Sequence, residues 1–172
     1  MNPERFGAPA AALWAYWSRC RGRQLVPHRR DFDPMAIAPH LPLVSLIERE
    51  APMVWRMRLV GTGIVNRSGE LTGRNYVDLL LPAQRAALDR RLHALLQQPC
   101  GSFSLRYNHR GGVRYVVRVL ALPLHAADGG LRQLITTNEQ LPRPELAAAP
   151  GLDALEQTDS EFLDIGAGLP DL

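Results

Sequence analysis

The amino-acid sequence predicts an α+β fold, an antiparallel sheet covered on one face by helices. Three observations carry that expectation. Residues 54–60 and 113–119 alternate apolar side chains with arginines, the period of a strand with one covered and one wet face. Residues 82–98 carry a leucine stripe at helical spacing. The order along the chain is two strands, short helical turns, one longer helix, then three strands joined by glycine-containing turns.

Taken in order, residues 8–20 (APAAALWAYWSRC) put Ala10, Leu13, Trp14, Trp17 and Cys20 on one side of a helix. That stripe is expected to dock on its own domain or on a twin subunit, with Leu13, Trp14 and Trp17 as the contacts of a homodimer in the second case. Residues 26–42 (VPHRRDFDPMAIAPHLP) form a stiff corner. Asp33 caps a turn that begins at Pro34, and Pro39 and Pro42 forbid its continuation. Strands follow at 43–48 and 54–60, the second with Trp55, Met57 and Leu59 opposite Arg56 and Arg58. Glycines 61, 63, 69 and 73 break the next stretch into short turns. Pro82 then opens a helix with Leu88, Leu92, Leu95 and Leu96 on one stripe, ended by Pro99 and Gly101. In the closing meander Phe103, Leu105 and Tyr107 share a face, and Val113, Tyr115, Val117 and Val119 oppose Arg114 and Arg118.

Charge narrows the chemistry. All 20 basic residues are arginine, so lysine Schiff-base chemistry and a Walker-type phosphate lysine are excluded. Residues 1–143 hold every arginine against ten acids, while residues 144–172 hold seven acids and no base. A basic body with an acidic tail suggests an acidic partner, nucleic acid or self-association. The two cysteines, Cys20 and Cys100, are too far apart in sequence for a disulfide framework or a zinc site and are expected to pack as small hydrophobes. The first apolar run is too short to span a bilayer and no cleavage site follows it, so a cytoplasmic location is the default expectation.

No catalytic or cofactor motif survives inspection. The segment GTGIVN (61–66) starts like a dinucleotide fingerprint, but Asn66 replaces the third glycine and no βαβ unit follows. His28 and His40 sit in the proline-rich lead-in, and His109 and His125 fall at opposite ends of one strand. His93 projects ~110° from the leucine stripe, toward the edge of the buried face, and reads as a solvated-edge histidine in preference to a haem ligand. The expectation is a non-enzymatic chain with no cofactor named by its sequence.

The stretches LVPHRRDFDPMAIAPHLPLVSLIE (25–48), WRMRLVGTGIV (55–65) and GELTGRNYVDLLLP (69–82), followed by the meander, resemble the PAS domain, and more narrowly the stand-alone PAS-like proteins common in alphaproteobacteria. The likeness spans residues 13–140. It implies a five-stranded antiparallel sheet of order 2-1-5-4-3 with helices roofing a pocket, and a sensory or protein-interaction role without catalysis. It divides the chain into a lead-in (1–42), a PAS-like core (43–140) and an acidic linker and tail (141–172). Flavin photochemistry, as in light-sensing relatives, needs a cysteine that SGELTGRNY (68–76) lacks.

Within that frame, Trp55, Met57, Leu59, Phe103, Leu105, Tyr107 and Tyr115 are expected to face the pocket, with Arg74, Asn75 and Tyr76 reaching in from the short helices. Two outcomes stay open: these side chains fill the core, or they leave room for a small apolar or aromatic ligand with one acidic group on Arg74. Arg56, Arg58, Arg106, Arg114 and Arg118 are expected on the outward faces of neighbouring strands as a partner-binding stripe. Nucleic acid is the electrostatic alternative there, weakened because the aromatics alternate to the other face. The tail, with Leu152, Leu155, Phe162, Leu163 and Ile165 among its acids, is either a docking segment or disordered. The expected function is a sensory or regulatory module that binds a protein partner.

Overall fold

The computed structural model describes residues 3–141 and 151–171. A short helix α1 (Pro3–Phe6) precedes α2 (Ala8–Arg21), and the proline-rich corner leads to β1 (Val44–Ala51) and β2 (Val54–Val60). Helix α3 (Thr62–Ser68), two 3-10 turns and α4 (Arg85–Gln97) follow. β3 (Gly101–Arg110), β4 (Val113–His125), β5 (Leu131–Gln140) and β6 (Ala154–Leu163) complete the chain. The sheet has the order β2-β1-β5-β4-β3-β6, every pair antiparallel. The expected order 2-1-5-4-3 is present, and the acidic tail extends it by a sixth strand.

Local chemistry explains the corner. The Asp33 carboxylate accepts the Met35 N–H at 2.9 Å, with Pro34 at the first helical position. The turn runs further than one proline-limited step. Ile37 leaves helical geometry at φ −125°, and a second 3-10 turn begins around Pro39 and ends at Leu43. Gly61 is needed where this corner crosses the end of β2. A Cβ there would lie 2.5 Å from the Pro42 carbonyl oxygen. Close approach, not a special φ, is the requirement, since Gly61 has φ −64°.

Both faces of the sheet are covered, not one. On the inner face, α3, α4 and the turns between them pack over Ile47, Trp55, Met57, Ala121 and Leu134. On the outer face, α2 packs over Val44, Leu46, Leu120, Leu122, Leu124 and Ile135. Trp17 is fully buried there, and its indole N–H donates to the Pro123 carbonyl at 2.8 Å. Leu13 is likewise sealed within the chain, which leaves Trp14 as the only one of the three candidate dimer residues with exposed surface. The wet face expected for β4 survives only toward its hairpin end, at Arg114 and Arg118.

Candidate functional site

The site is built on the inner face of β1, β3, β4 and β5. β3 is inverted relative to the expectation. Ser102 pairs with Ala121, Ser104 with Val119, Arg106 with Val117 and Asn108 with Tyr115, and these are the inward residues of β4. Phe103, Leu105 and Tyr107 therefore point outward. Phe103 meets Phe6 edge-on at 4.5 Å, and Arg114 lies over the Tyr107 ring at 4.5 Å. Leu59 is also outside the pocket. A bulge between Leu46 and Ile47 breaks the alternation of β2, so Leu59 is 43% exposed and Val60 turns to the inner core.

Of the remaining expected pocket residues, Trp55, Met57, Tyr76 and Tyr115 are on the inner side. Trp55 is fully buried, its indole N–H donating to Asp89 at 2.7 Å. Arg74 is exposed and does not reach inward; its carbonyl accepts the Met57 N–H. Asn75 ties the outer edge of β2, accepting from the Trp55 N–H at 2.9 Å and donating to the Met53 carbonyl at 2.9 Å. Both are scaffold residues.

Arg106, expected outside, takes the place foreseen for Arg74. It is 5% exposed, and its guanidinium donates to Asn108 Oδ1 at 3.1 Å, Tyr76 Oη at 2.6 Å and Asn138 Oδ1 at 2.5 Å. Those bonds fix both amide orientations, since a guanidinium only donates. The Asn138 amide then donates to Ser45 at 3.3 Å and Thr136 at 3.0 Å, whose hydroxyls lie 2.6 Å apart. None of Asn108, Asn138, Ser45 and Thr136 stands out from the sequence as a site residue. A signal exists nonetheless: TTN at 136–138 in β5 and S-x-R-x-N at 104–108 in β3 set a polar group at every second position of the two strands that flank β4.

Two cavities lie beneath this network, of about 20 Å³ and about 30 Å³. Ile47, Tyr76 and Thr136 line both, so the Tyr76 ring stands at their boundary. Arg106, Asn108, Asn138, Leu152 and Leu155 line the first, and Leu88, Leu92 and Gln157 the second. Most of the inner volume is filled by side chains, and each remaining space holds about one water-sized group. Leu152, Leu155 and Gln157 belong to the C-terminal segment, which closes one wall.

The outer arginines form a paired ladder. Arg56 contacts Glu50 at 3.0 Å, Arg58 contacts Glu48 at 2.7 Å and Glu50 at 3.0 Å, and Arg118 contacts Glu139 at 3.6 Å. Arg132 adds a second bond to Glu48 at 2.7 Å. Burial pushes the Glu48 carboxyl up, but hydrogen bonds from Arg132, Arg58 and Gln133 outweigh it and hold it below the ordinary glutamate range. A depressed carboxylate stabilises the fold above its unfolded pKa and loses that contribution as pH falls through the folded value. Glu48→Gln is expected to cost about 1–2 kcal/mol at neutral pH, given half-exposed partners. Denaturant melts from pH 7 to pH 3 should show the gap to the parent closing in acid. A gap constant with pH would refute the pairing.

The described cysteines and histidines line neither cavity, whereas Arg91 lines the second. Burial pushes the Cys100 thiol up to about 11, leaving it unreactive, and Cys20 is half-buried. His28 and His125, far apart in sequence, stack at 4.8 Å. Among the described residues, no three of His, Cys, Asp and Glu converge as a metal set, and no helix is long and apolar enough to cross a membrane.

Comparison with known proteins bears on this arrangement. A family model described as PAS domain matches residues 5–136. No curated protein matches the chain. Among solved structures, the light-state LOV domain of the blue-light photoreceptor Aureochrome1 is 14% identical, with 59% of this chain and 88% of that one covered at a TM-score of 0.44. A sensory box sensor histidine kinase from Vibrio cholerae is 17% identical, with 63% and 88% covered at 0.41. An RNA-binding light-oxygen-voltage receptor is 16% identical, with 67% and 36% covered at 0.46.

Proposed function

The chain belongs to the PAS domain family, a class of non-catalytic sensory and regulatory modules, and on that premise we propose that it is a regulator whose inner cavities control how its C-terminal strand is seated, and through that strand the binding of a protein partner. The observation that carries this reading is the shared wall. Leu152, Leu155 and Gln157 line the same spaces as Tyr76 and Thr136. Any group that enlarges or fills those spaces acts directly on β6. The mechanism is a population shift between a seated and a released strand. Release would expose the edge of β3, a template for a partner strand.

β6 is built for such a role. Within the sheet it pairs with β3 alone, with one further bridge from Leu155 to Leu80, and its register slips between Ser104 and Arg106. Beyond the ladder its polar anchors are Glu156 with His109 at 2.8 Å, Glu161 with Arg5 at 2.7 Å, the backbone of Gln157 with the Gln84 amide at 2.7 and 3.1 Å, and the Leu155 carbonyl accepting the Leu81 N–H at 3.0 Å; past the strand, the Ile165 carbonyl accepts from Arg21 at 2.6 Å. The surface ion pairs stabilise weakly, so the segment is held by the β3 ladder, the Gln84 and Leu81 bonds, and the burial of Leu155 and, just past the strand, Ile165.

Hydrogen exchange after Ile47→Ala tests the coupling. Ile47 lines both cavities from β1, with β5, β4 and β3 between it and β6. The substitution should speed exchange in residues 154–163 by roughly tenfold relative to α2, a local opening of the tail. Equal acceleration of β6 and α2, or none in β6, would sink the reading.

A further inference from the structure

Resting on that reading of the cavities, we infer that the space beside Arg106 takes a small monocarboxylate, with the carboxylate on the guanidinium and a short hydrocarbon chain toward Leu155. The first observation is charge. Arg106 is buried, and all three of its partners, Tyr76, Asn108 and Asn138, are neutral. Among the described residues no carboxylate pairs with it. A buried cation without an anion is costly to keep, and a bound anion removes that cost.

The second observation is that the positive potential is reinforced. Arg67 and Arg110 stand nearby, each with a buried Nε lacking a partner, and Arg67 donates to the Asn138 carbonyl at 3.2 Å. Burial lowers the proton affinity of Arg67; Tyr115 raises it, while the charges of Arg106 and Arg110 lower it. Neither Arg67 nor Arg110 lines the cavity itself, but both add to the positive potential that an anion on Arg106 would offset.

The third observation is donor capacity. Three N–H groups of Arg106 are committed to Asn108, Tyr76 and Asn138, and the others remain able to donate. Size and lining then select the class. The polar space is small, and Ile47, Met57, Leu71 and Leu155 close it with hydrocarbon. Rotation of Tyr76 would release the N–H that Arg106 now gives it to a ligand carboxylate, join the space to the second cavity, and make room for a chain of a few carbons between Leu155 and Leu88. Phosphate, with two charges and no apolar part, fits such a lining poorly; a short-chain carboxylate fits both halves.

The test is a thermal titration of the full chain with sodium butyrate, butyramide as its neutral isostere, and sodium chloride at matched ionic strength. Butyrate is expected to raise the melting temperature by about 5 °C near saturation, with little effect from the other two. Arg106→Gln should reduce the butyrate response to that of butyramide. Should that variant fail to fold, the Arg106 Nε–H resonance of the parent protein distinguishes the same outcomes, moving with butyrate and not with butyramide. Equal responses to butyrate and butyramide would overturn the carboxylate and keep the cavity as a ligand site. A response to chloride equal to that of butyrate, or to none of the three, would overturn it as well. Loss of the Ile47-to-β6 coupling is a separate result and removes the reading underneath.

Discussion

Trp17→Ala is expected to destabilise the protein by about 3–5 kcal/mol, the largest effect of any single side chain on the outer face. The indole has no exposed surface, and it fills the space between α2 and the Leu120–Leu124 half of β4. Two terms add. Truncation leaves a cavity that α2 can only partly close, because Tyr16 is pinned on one side by the 2.6 Å bond from the Asp33 N–H. It also strands the Pro123 carbonyl, which now accepts the indole N–H. Trp17→Phe separates them, keeping most of the volume and losing the bond, and should cost about 1–2 kcal/mol. Equilibrium urea melts of both variants check the pair. A loss below about 1 kcal/mol for Trp17→Ala would mean that α2 does not rest on this sheet.

Trp17 also shows how much of the fold is legible in the sequence and where legibility stops. The helix stripe, the strand at 54–60 and the leucine face of α4 follow from periodicity, which is a local property. Which face of a strand turns inward is not local. Phe103-Leu105-Tyr107 and Ser104-Arg106-Asn108 alternate perfectly, and period two leaves the choice of side undetermined. Hydrophobicity settles that choice only when one side of the sheet is wet. Here α1 and α2 supply an apolar surface outside, so the aromatic set of β3 packs against Phe6 and Leu120 while the polar set lines the cavity. The run LALPL at 120–124, apolar without alternation, is the sign that both faces are covered.

The outer arginines fail for a related reason. A net charge counts residues, whereas screening depends on register. Glu48, Glu50 and Glu139 lie beside Arg58, Arg56 and Arg118 across strands, so the stripe is largely neutralised where it stands. Arg106 escapes this because it is on the other side of the sheet. A candidate site built from charge alone thus groups Arg106 with the outer arginines and puts it on the wrong face of the sheet.

The last expected result concerns the strand that the sequence offers as either a docking segment or a disordered tail. A chain ended after Leu141 should melt about 5–10 °C lower than the full chain and self-associate with concentration. Leu155 and Ile165, both buried, each contribute about 1.5–3 kcal/mol, partly offset by the entropy of ordering the tail. Self-association follows from what β3 becomes. Its ten residues would form an open edge, with unpaired N–H and C=O groups where β6 had been and no proline to interrupt them. Arg106 points inward and cannot guard that edge, and Arg110 stands only at its end. Two truncated chains can therefore pair β3 to β3. Size-exclusion chromatography across a hundredfold concentration range reads this directly, and a peptide of residues 152–171 added in trans should reverse it. If the peptide rescues the melting temperature and disperses the assemblies together, the edge of β3 is the surface that β6 covers. If truncation changes neither, β6 is not what closes the sheet, and a regulator that acts by releasing it has no strand to release.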